Sequence, residues 1–443
     1  MKLLLISPKY SYPKYYWMCF DGLYFQALPH APQLVNFYLP LLIIAGLTPK
    51  GIEIKLLDEM VEDINFEEDV DLVGITVNTP QANRAYEIAS EFRKRNKKVV
   101  MGGIHVSLMP QEAIQYCESV VVGRVENVWE NIIRDFQNNS LKAFYHSQDI
   151  IEWDKLPLPR YDLVHYKEKY FFHPVETSIG CPHTCEFCST GSFWEGNYFY
   201  KSVKRVIEEV KSCLSVERKP IYFIDENFIG NIKRTKELCN NLIKLNIEYS
   251  IYMPIYGGRD KELLELLAKS GCKRVFIGFE SLSPINLKEV KKDGVNQPKH
   301  YKEMIETINS FGIGIQGSFI YGFDNDTKES FKQTEEFISN LSNYRGVIHH
   351  LALTPFPGTR LFKRLSEEGR IISFDWSKYN ELLVIFTPKG MTPEELQNGI
   401  DFLNDKELLR EFNLVSTFGR YYYEHYMKYR VRRNKNIFMK DRA

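Results

Sequence analysis

The sequence has neither an excess of one charge nor a long apolar run. Lysine and arginine together number 57, as do aspartate and glutamate, so the formal net charge is zero and does not indicate a nucleic-acid partner. The longest apolar run covers residues 39–47, whereas a membrane-spanning helix needs about 20 residues. The apolar start at residues 3–6 is too short for a signal peptide. We therefore expect a soluble, cytoplasmic protein with no transmembrane segment.

Cysteine is also sparse. Eight cysteines in 443 residues do not make a disulfide framework, and they fit a reducing compartment. Three of them, Cys181, Cys185 and Cys188, stand at the spacing C-x3-C-x2-C just after an apolar strand predicted at residues 175–179. Three thiolates this close together can hold three corners of a cubane iron–sulfur cluster.

A cubane cluster usually has four protein ligands, and no fourth cysteine lies nearby in the sequence. One iron would then be open, and an open coordination position is a site for chemistry. A zinc site with His183 or His173 as the fourth ligand is the alternative, although zinc motifs tend to come as two spaced pairs.

The motif resembles that of the radical SAM superfamily, in which an aromatic residue precedes the last cysteine, as Phe187 does here. In that family the open iron binds the amino and carboxylate groups of S-adenosylmethionine (SAM). The cluster then donates one electron, and the sulfonium splits to a 5′-deoxyadenosyl radical. The resemblance implies a [4Fe–4S] cluster on Cys181, Cys185 and Cys188, with SAM as a second cofactor.

The N-terminal part alternates short apolar strands with helices. Such alternation predicts a doubly wound parallel sheet, which binds ligands at the carboxyl ends of its strands. The loops there contain no G-x-G-x-x-G, so a nicotinamide or flavin nucleotide is disfavoured. Strands are predicted at residues 3–8, 52–57, 72–77, 98–101 and 119–122, and helices at residues 38–47, 80–95, 109–117 and 128–136.

The same loops resemble the cobalamin-binding domain that precedes many radical SAM barrels. In that domain a Gly-Gly-x-His segment and a Gly-Glu-x-Glu segment lie beside the corrin and its nucleotide tail. The first segment is present, but the second reads Gly-Arg-Val-Glu and departs from the pattern at Arg124. For His105, hydrogen bonding within its own loop is the alternative to a cobalamin contact. The contacts that the resemblance implies are Ser7, Asn78, Gly102, Gly103, His105 and Glu126.

Six strand–helix steps in the second half predict a partial (β/α)6 barrel related to the TIM barrel, with chemistry at the carboxyl ends of its strands. By resemblance to the superfamily, Asp225 and Glu226 contact the SAM amino group. Arg259 pairs with the SAM carboxylate through a bidentate fork, and Glu280 accepts the ribose hydroxyls. The predicted SAM contacts are Phe187, Asp225, Glu226, Arg259, Glu280, Ser281 and Ser318.

The fold class is therefore α/β, in four segments. We predict a cobalamin-binding-like Rossmann domain at residues 1–140, a linker at 141–172, a radical SAM barrel at 173–370 and a mostly helical region at 371–443. An aromatic and basic tail follows residue 420, and a solvated helix is its default interpretation. Peripheral contact with an anionic membrane is the alternative for this tail.

The run Phe-Ile-Asp-Glu-Asn-Phe-Ile-Gly-Asn at residues 223–231 is similar to cobalamin-dependent radical SAM methylases, including those that methylate hopanoid lipids. This resemblance implies a methyltransferase acting on an unactivated carbon of a small molecule, lipid or peptide, with electrons from a ferredoxin- or flavodoxin-like partner. One alternative is a radical SAM cyclase, ring-contracting or carbon–carbon coupling enzyme, with or without cobalamin. The other is a zinc-stabilised binding protein without turnover. The sequence does not identify the residues that contact the substrate.

Overall fold

The computed structural model describes residues 1–10, 34–147, 151–341 and 344–412. Two parallel β-sheets organise this part of the chain, which confirms the predicted α/β class. The aromatic and basic tail after residue 420 lies outside the described residues. No helix within these ranges is long and apolar enough to cross a membrane.

The first sheet is built from β1 (Lys2–Ser7), β3 (Glu53–Asp58), β4 (Leu72–Thr76), β5 (Lys98–Gly102), β6 (Ser119–Val122) and β7 (Phe144–His146), while β2 (Leu34–Asn36) belongs to the second sheet. The strands are parallel, in the order β3-β1-β4-β5-β6-β7. Its central strands are covered on both faces, which is why they are continuous apolar runs in the sequence. The position of β7 corrects the predicted linker, because the first sheet extends beyond residue 140.

Helices cover both faces of this sheet: α1 (Leu39–Leu47), α2 (Ala82–Lys94), α3 (Ile104–Leu108), α4 (Pro110–Ala113) and α5 (Trp129–Gln137). The predicted helix at residues 109–117 was wrong in its start. The chain turns helical already at Ile104 and is interrupted at Met109. Pro110 explains the interruption, because proline disfavours helical backbone at the residue before it.

The second sheet is built from β2 and six further strands, namely β8 (Tyr170–Val175), β11 (Ile221–Phe223), β12 (Tyr249–Tyr252), β13 (Cys272–Glu280), β14 (Gly314–Tyr321) and β15 (Gly346–Ala352). Its order is β15-β14-β13-β12-β11-β8-β2. The six strands β8 and β11–β15 alternate with helices, as the predicted partial barrel requires. The predicted strand at residues 175–179 is divided, because β8 ends at Val175 and a separate strand, β9 (Ser178–Gly180), pairs antiparallel with β10 (Tyr198–Tyr200).

The helices of this half are α6 (Ser189–Trp194), α7 (Val203–Val216), α8 (Ile232–Leu242), α9 (Lys261–Ser270), α10 (Pro284–Glu289), α11 (Tyr301–Ser310), α12 (Lys328–Ser339), α13 (Arg360–Glu367) and α14 (Pro393–Phe412). Two of these helices illustrate how their ends are capped. The Ser202 hydroxyl accepts from the Arg205 N–H at 3.1 Å at the start of α7. Gly271 adopts left-handed backbone after α9, with φ +102°.

Two hydrophobic cores hold these layers together. The larger one runs from one face of the first sheet into the barrel and includes Leu3, Trp129 and Ile348. The smaller one lies on the opposite face of the first sheet, where α2 packs, and it includes Trp376 and Tyr379 from the C-terminal region. The C-terminal region therefore returns to cover the first sheet.

Candidate active site

The three predicted cluster cysteines lie on the loop between β9 and α6, at the mouth of the barrel. Cys185 is buried, and Cys181 and Cys188 are half-buried. Cys188 is the N-cap of α6, where its Sγ accepts a hydrogen bond from the Gly191 backbone N–H at 3.5 Å. The short helix thus fixes the position of the last thiol.

Glu186, inside the cysteine motif, ties this loop to two other elements. Its carboxylate accepts hydrogen bonds from Arg364 of α13 at 2.9 and 3.2 Å. Its backbone N–H donates to the carbonyl of Val290 at 3.1 Å, and its carbonyl accepts from the N–H of Leu361 at 3.2 Å. These bonds hold the loop against α13 and against the segment that follows α10.

Burial raises the pKa of all three thiols, that of Cys185 to about 11. Iron is ligated by the thiolate, so a neighbouring positive charge favours ligation. Lys292, just after α10, supplies such a charge and opposes the effect of burial on each thiol pKa. Sequence reasoning missed Lys292, because it lies in an ordinary charged run at residues 291–293.

Asp225 and Glu226 follow β11, but their side chains have different surroundings. Asp225 is fully buried and accepts hydrogen bonds from the N–H and the hydroxyl of Thr177, at 3.0 and 2.8 Å, and from the Ser178 hydroxyl. Its carboxylate is therefore engaged in bracing the loop after β8, which corrects its predicted role as a SAM contact. Glu226 is exposed to a cavity between the two sheets.

Asn227 is a further candidate for contact with a ligand, and from the sequence it was noted only as part of the run at residues 223–231. Its side chain is fully buried, and neither its amide nitrogen nor its amide oxygen makes a hydrogen bond among the described residues. Tyr256 lies beside it, and an interaction with the Asn227 amide that falls outside hydrogen-bond geometry moderates the rise that burial causes in the Tyr256 pKa. A buried polar group without a partner costs about 1–3 kcal/mol. The amide therefore indicates a polar ligand at this position.

Glu280 ends β13 in left-handed backbone, with φ +64°. This conformation is uncommon for a residue with a Cβ and clusters at functional sites. Its Oε1 lies 3.2 Å from the Lys292 Nζ. Burial and the charge of Lys292 have the largest effects on the pKa of Cys185. The negative charge of Glu280 also raises this pKa, so Glu280 lies close to the cysteines.

The other predicted SAM contacts on this side are spread over neighbouring elements. The Ser281 hydroxyl accepts from the Ser283 N–H at 3.0 Å. Ser318 lies on β14, opposite Gly278 of β13. Phe187 packs edge-on against Phe323, just beyond the end of β14, with ring centroids 6.4 Å apart. All three lie at or near the strands that frame the cysteine loop.

Arg259, the predicted partner of the SAM carboxylate, lies in the segment between β12 and α9. It is exposed, and its guanidinium donates to the Gln297 side-chain oxygen at 3.3 Å. It ends a short 3-10 helix in which Gly258 packs against Met304 of α11. The predicted contact with the SAM carboxylate therefore stays a prediction.

Glu381, from the C-terminal region, is a further carboxyl group at the barrel mouth that the sequence analysis missed. Its backbone is left-handed, with φ +63°, and its carbonyl accepts from the Ala352 N–H at the end of β15, at 2.6 Å. Partial removal from water by the surrounding protein is the larger cause of its raised pKa, and the negative charge of Glu280 is the second. Together they raise the pKa of Glu381 to about 7, although the side chain remains open to solvent.

A cavity of about 420 Å³ lies between the first sheet and the barrel. One wall is formed by the loops after β4, β5 and β6, and the other by the barrel and α6. Because Cys188 caps α6, and Phe193 and Trp194 of this helix line the cavity, the cavity and the cysteine loop share one short helix. The residues that line the cavity include Leu39, Leu41, Ile43, Ile44 and Trp129 on its apolar floor, Asn78, Gly102, Gly103 and Glu126 on the first wall, and Glu176, Phe193, Trp194 and Glu226 on the second.

Gly103 shows why the Gly-Gly-x-His segment needs its second glycine. Its φ is +113°, and a Cβ there would lie 2.7 Å from the Val77 carbonyl oxygen and 2.8 Å from the Val77 nitrogen. The absence of a side chain therefore allows the loop after β5 to pack directly against the end of β4. This contact forms one edge of the cavity.

Two of the predicted cobalamin contacts do not line the cavity. His105 is fully buried, with its Nδ1 3.3 Å from the Thr79 hydroxyl and its Nε2 3.1 Å from the Tyr86 hydroxyl. Its ring also packs edge-on against Trp376, at 5.3 Å. His105 therefore bonds locally and joins the first sheet to the C-terminal region. Ser7 is buried as well, and its hydroxyl has no hydrogen-bond partner among the described residues.

Arg124, where the sequence departs from the family pattern, connects the two walls of the cavity. Its guanidinium forms hydrogen bonds with Glu126 on the first wall and with both carboxylate oxygens of Glu176 on the second, at 3.0 Å each. It also lies over the Trp153 ring, 5.0 Å from the centroid. Burial acts to lower the Arg124 pKa, but the attraction of the two carboxylates outweighs it and raises that pKa.

Glu226 lies in the field of this ion cluster. The surrounding protein, and then the negative charge of Glu176, raise the pKa of Glu226 to about 8, while Arg124 acts in the opposite direction. The side chain is nevertheless open to the cavity, so water there screens part of the effect. Glu226 is thus a carboxyl group that can hold a proton near neutral pH.

These residues fit the cofactors that the motifs predict. Three thiols beside a half-buried cation suit an anionic cluster, and the unsatisfied Asn227 amide suits a polar ligand on it. The cavity, with its apolar floor and polar edge, suits part of a large ring system. In the portion of the chain that the structure describes, no three His, Cys, Asp or Glu side chains are close enough to hold a single metal ion. A cubane needs a different arrangement, with one iron for each thiolate.

Two family models match the chain. The model of the radical SAM superfamily matches residues 175–338, which include the cysteine loop and the strand ends described above. The model of the B12 binding domain matches residues 37–133, which include the loops along the first wall of the cavity.

Three of the relatives represent the activities that their names give. The chain is 32% identical over 393 residues to the bacteriochlorophyllide d C-8(2)-methyltransferase of Chlorobaculum tepidum, with 84% of this chain and 87% of the relative covered. It is 26% identical to the hopanoid C-2 methylase of Rhodopseudomonas palustris, with 84% and 72% covered. It is also 26% identical to the anaerobic magnesium-protoporphyrin IX monomethyl ester cyclase of Cereibacter sphaeroides, with 74% and 58% covered.

A solved structure has the same fold. The cobalamin-dependent S-adenosylmethionine radical enzyme OxsB, with aqua-cobalamin and SAM bound, superposes with a TM-score of 0.68 at 14% identity. The match covers 97% of this chain and 71% of that chain. At this identity the likeness concerns the fold.

Taken with the site, these matches decide the cofactors and the family. The radical SAM domain implies a [4Fe–4S] cluster and SAM, and the B12 binding domain implies cobalamin, so the predicted cofactors are confirmed and the zinc alternative loses its support. As in other enzymes of this superfamily, a reductant and a small-molecule substrate are required. The chain belongs to the radical SAM superfamily, among its members that carry a B12 binding domain.

Proposed function

We propose that the protein is a cobalamin-dependent methyltransferase that methylates an unactivated carbon. One observation carries the proposal, namely that the cavity beside the B12-binding sheet adjoins the cysteine loop. Glu226 lines that cavity. Burial is the main cause of the raised pKa of Cys181 and Cys188, and the negative charge of Glu226 adds to it. When bound, the cluster supplies the electron that cleaves SAM, and cobalamin supplies the methyl group. A substrate bound where the cavity meets the cysteine loop would lie beside the residues assigned to both cofactors.

The residues of the chain bind and orient these groups and exclude water from them. We assign the cluster to the three cysteines and the polar end of SAM to Glu226 and Asn227, because these two side chains are the available polar groups after β11. Glu280, Ser281, Ser318 and Phe187 are assigned to the rest of SAM, and Asn78, Gly102, Gly103 and Glu126 to cobalamin.

For the substrate we propose a large, mostly apolar small molecule, such as a tetrapyrrole or a lipid, in preference to a peptide. The names of the methyltransferase relatives support this class, since one refers to a bacteriochlorophyllide and another to a hopanoid. A low-potential ferredoxin or flavodoxin of the cytoplasm is the proposed electron donor.

The proposal is tested on protein purified and reconstituted without oxygen. We expect iron and sulfide at the stoichiometry of one [4Fe–4S] cluster, a corrinoid spectrum, and cleavage of SAM to 5′-deoxyadenosine after reduction. Cys185→Ala should lose the cluster and SAM cleavage together. The matched control is Cys117→Ala, at a buried cysteine of the first domain, which should keep both.

Two outcomes would contradict the proposal. A Cys185→Ala protein that retained either the cluster or SAM cleavage would remove the cluster assignment. Cluster and SAM cleavage without any bound corrinoid would favour the second candidate, a radical SAM cyclase or coupling enzyme, for which the cyclase relative provides the support.

A further inference from the structure

Lys292 is a half-buried cation at the mouth of the barrel. Its side chain is 18% exposed, and its Nζ lies 3.2 Å from the Oε1 of Glu280, whose side chain is 7% exposed. Burial acts to lower the Lys292 pKa, but Glu280 and Cys185 outweigh that effect and raise it. Lys292 is therefore protonated at neutral pH.

The segment that carries Lys292 contacts the cysteine loop, because the Glu186 N–H inside the cysteine motif donates to the Val290 carbonyl at 3.1 Å. The charge of Lys292 therefore lies beside the loop that holds all three cysteines. Lys292 acts on the pKa of Cys181, Cys185 and Cys188 in the direction that favours the thiolate. Glu280 acts in the opposite direction on Cys185. The cysteine loop thus lies beside two opposite charges that contact each other.

A simpler role for Lys292 is to neutralise Glu280. A buried carboxylate needs a counterion, and Lys292 provides one. This role makes no demand on the cysteines, and it predicts that the two charges have no separate effect on any group bound there. The two roles therefore differ in a property that can be measured.

We propose that Lys292 and Glu280 set the reduction potential of the cluster held by the three cysteines, with Lys292 favouring the uptake of an electron and Glu280 opposing it. The inference rests on the cluster assignment made under the proposed function. Reduction adds one electron, supplied by an external low-potential reductant, to a site that is already anionic. A nearby cation stabilises the added charge and a nearby anion destabilises it, and net charge is one of the factors that set iron–sulfur potentials.

The size of the effect follows from Coulomb's law. For an assumed separation of about 10 Å and an effective dielectric constant of about 20, a unit charge changes a one-electron equilibrium constant roughly tenfold. A tenfold change in a one-electron equilibrium corresponds to about 59 mV. The two charges are opposite, so removing both should leave the potential near its original value.

The test is a redox titration of the reconstituted cluster without SAM, monitored by electron paramagnetic resonance, after iron and sulfide have been measured in each sample. We expect Lys292→Met to lower the midpoint potential by about 59 mV and Glu280→Gln to raise it by a similar amount. The double variant should return to within about half of that shift from the wild type. Lys292→Met alone leaves Glu280 unpaired. If that variant fails to fold, the double variant still tests the inference.

The matched control is Lys236→Met, which removes a lysine paired with Asp260 and Glu262 elsewhere on the barrel and should leave the potential unchanged. A fully loaded cluster with the same potential in all variants would overturn the inference and leave the proposed function intact. An unchanged SAM-free potential together with weaker SAM binding in Lys292→Met would also overturn it and make Lys292 a SAM ligand. If wild-type protein held no iron at these thiols, the proposed function itself would fail.

Discussion

Arg124 joins the two walls of the cavity, and replacing it with methionine removes the charge while keeping most of the side-chain volume. Glu126 and Glu176 have side chains that are 2% and 11% exposed, and both would lose the guanidinium between them. Removing one partner of a buried ion pair typically costs about 3–5 kcal/mol, because the other charge stays buried. We therefore expect Arg124→Met to lower the free energy of unfolding by about 3–5 kcal/mol at pH 7.

Protonation limits this cost and gives it a pH dependence. A glutamate with a solution pKa of about 4.3 can be neutralised for roughly 3.7 kcal/mol at pH 7 and for roughly 1 kcal/mol at pH 5. In the variant a buried carboxylate without its counterion takes up a proton more readily than it does in the unfolded chain, so the loss relative to wild type shrinks as the pH falls towards that solution value. The difference between wild type and Arg124→Met should therefore shrink to about 1–2 kcal/mol at pH 5.

The assay is urea unfolding of the cofactor-free protein at pH 7 and pH 5, read from the first transition, because a chain with two domains need not unfold in one step. Arg160→Met is the matched control. Arg160 pairs with Asp162 on the surface, where an ion pair contributes about 0–1 kcal/mol. Adding Glu176→Gln to Arg124→Met should recover part of the loss. A loss below about 1 kcal/mol at pH 7, or an equal loss at both pH values, would refute the reasoning.

Two further changes test the packing around the site. Asp225→Ala leaves the N–H and hydroxyl of Thr177 without their acceptor, so we expect thermal and urea unfolding to show a loss of about 3–5 kcal/mol. An unchanged stability would mean that Asp225 is not a structural residue. Gly271→Ala would bring a Cβ within 1.8 Å of the Ile247 carbonyl oxygen. The control is Gly312→Ala, because Gly312 also has a positive φ but has open space around it, and its loss of stability should be roughly 1–2 kcal/mol. Gly271→Ala should cost clearly more. Equal losses would contradict the close contact with Ile247.

The sequence predicted the elements of both sheets well, because burial on a face leaves a periodic pattern. The repeat of Ala85, Ile88 and Phe92 on α2 is one example, since all three are buried. The same reasoning could not separate Asp225 from Glu226. Both stand directly after β11, and the pattern does not say which side chain turns into the protein and which turns into the cavity.

Other features depend on contacts that a linear pattern does not contain. Lys292 was missed because its partners, Glu280 and the cysteines, come from different loops. The exposure of Arg259 depends on a short 3-10 helix after β12, in which Gly257 and Gly258 are buried and the arginine side chain is not. The strands β2 and β7 were missed because each has only three residues, too few for an alternating pattern.

The edge strand β2 limits how far the two halves of the chain can be treated as interchangeable modules. It pairs with β8 through Leu34 opposite Tyr170 and Asn36 opposite Phe172, although it precedes most of the first sheet in the chain. A fragment that began after residue 147 would leave one side of β8 with unpaired backbone groups, a state that favours aggregation. A chimera that exchanges the cobalamin-binding half between relatives should therefore take β2 from the same parent as the barrel.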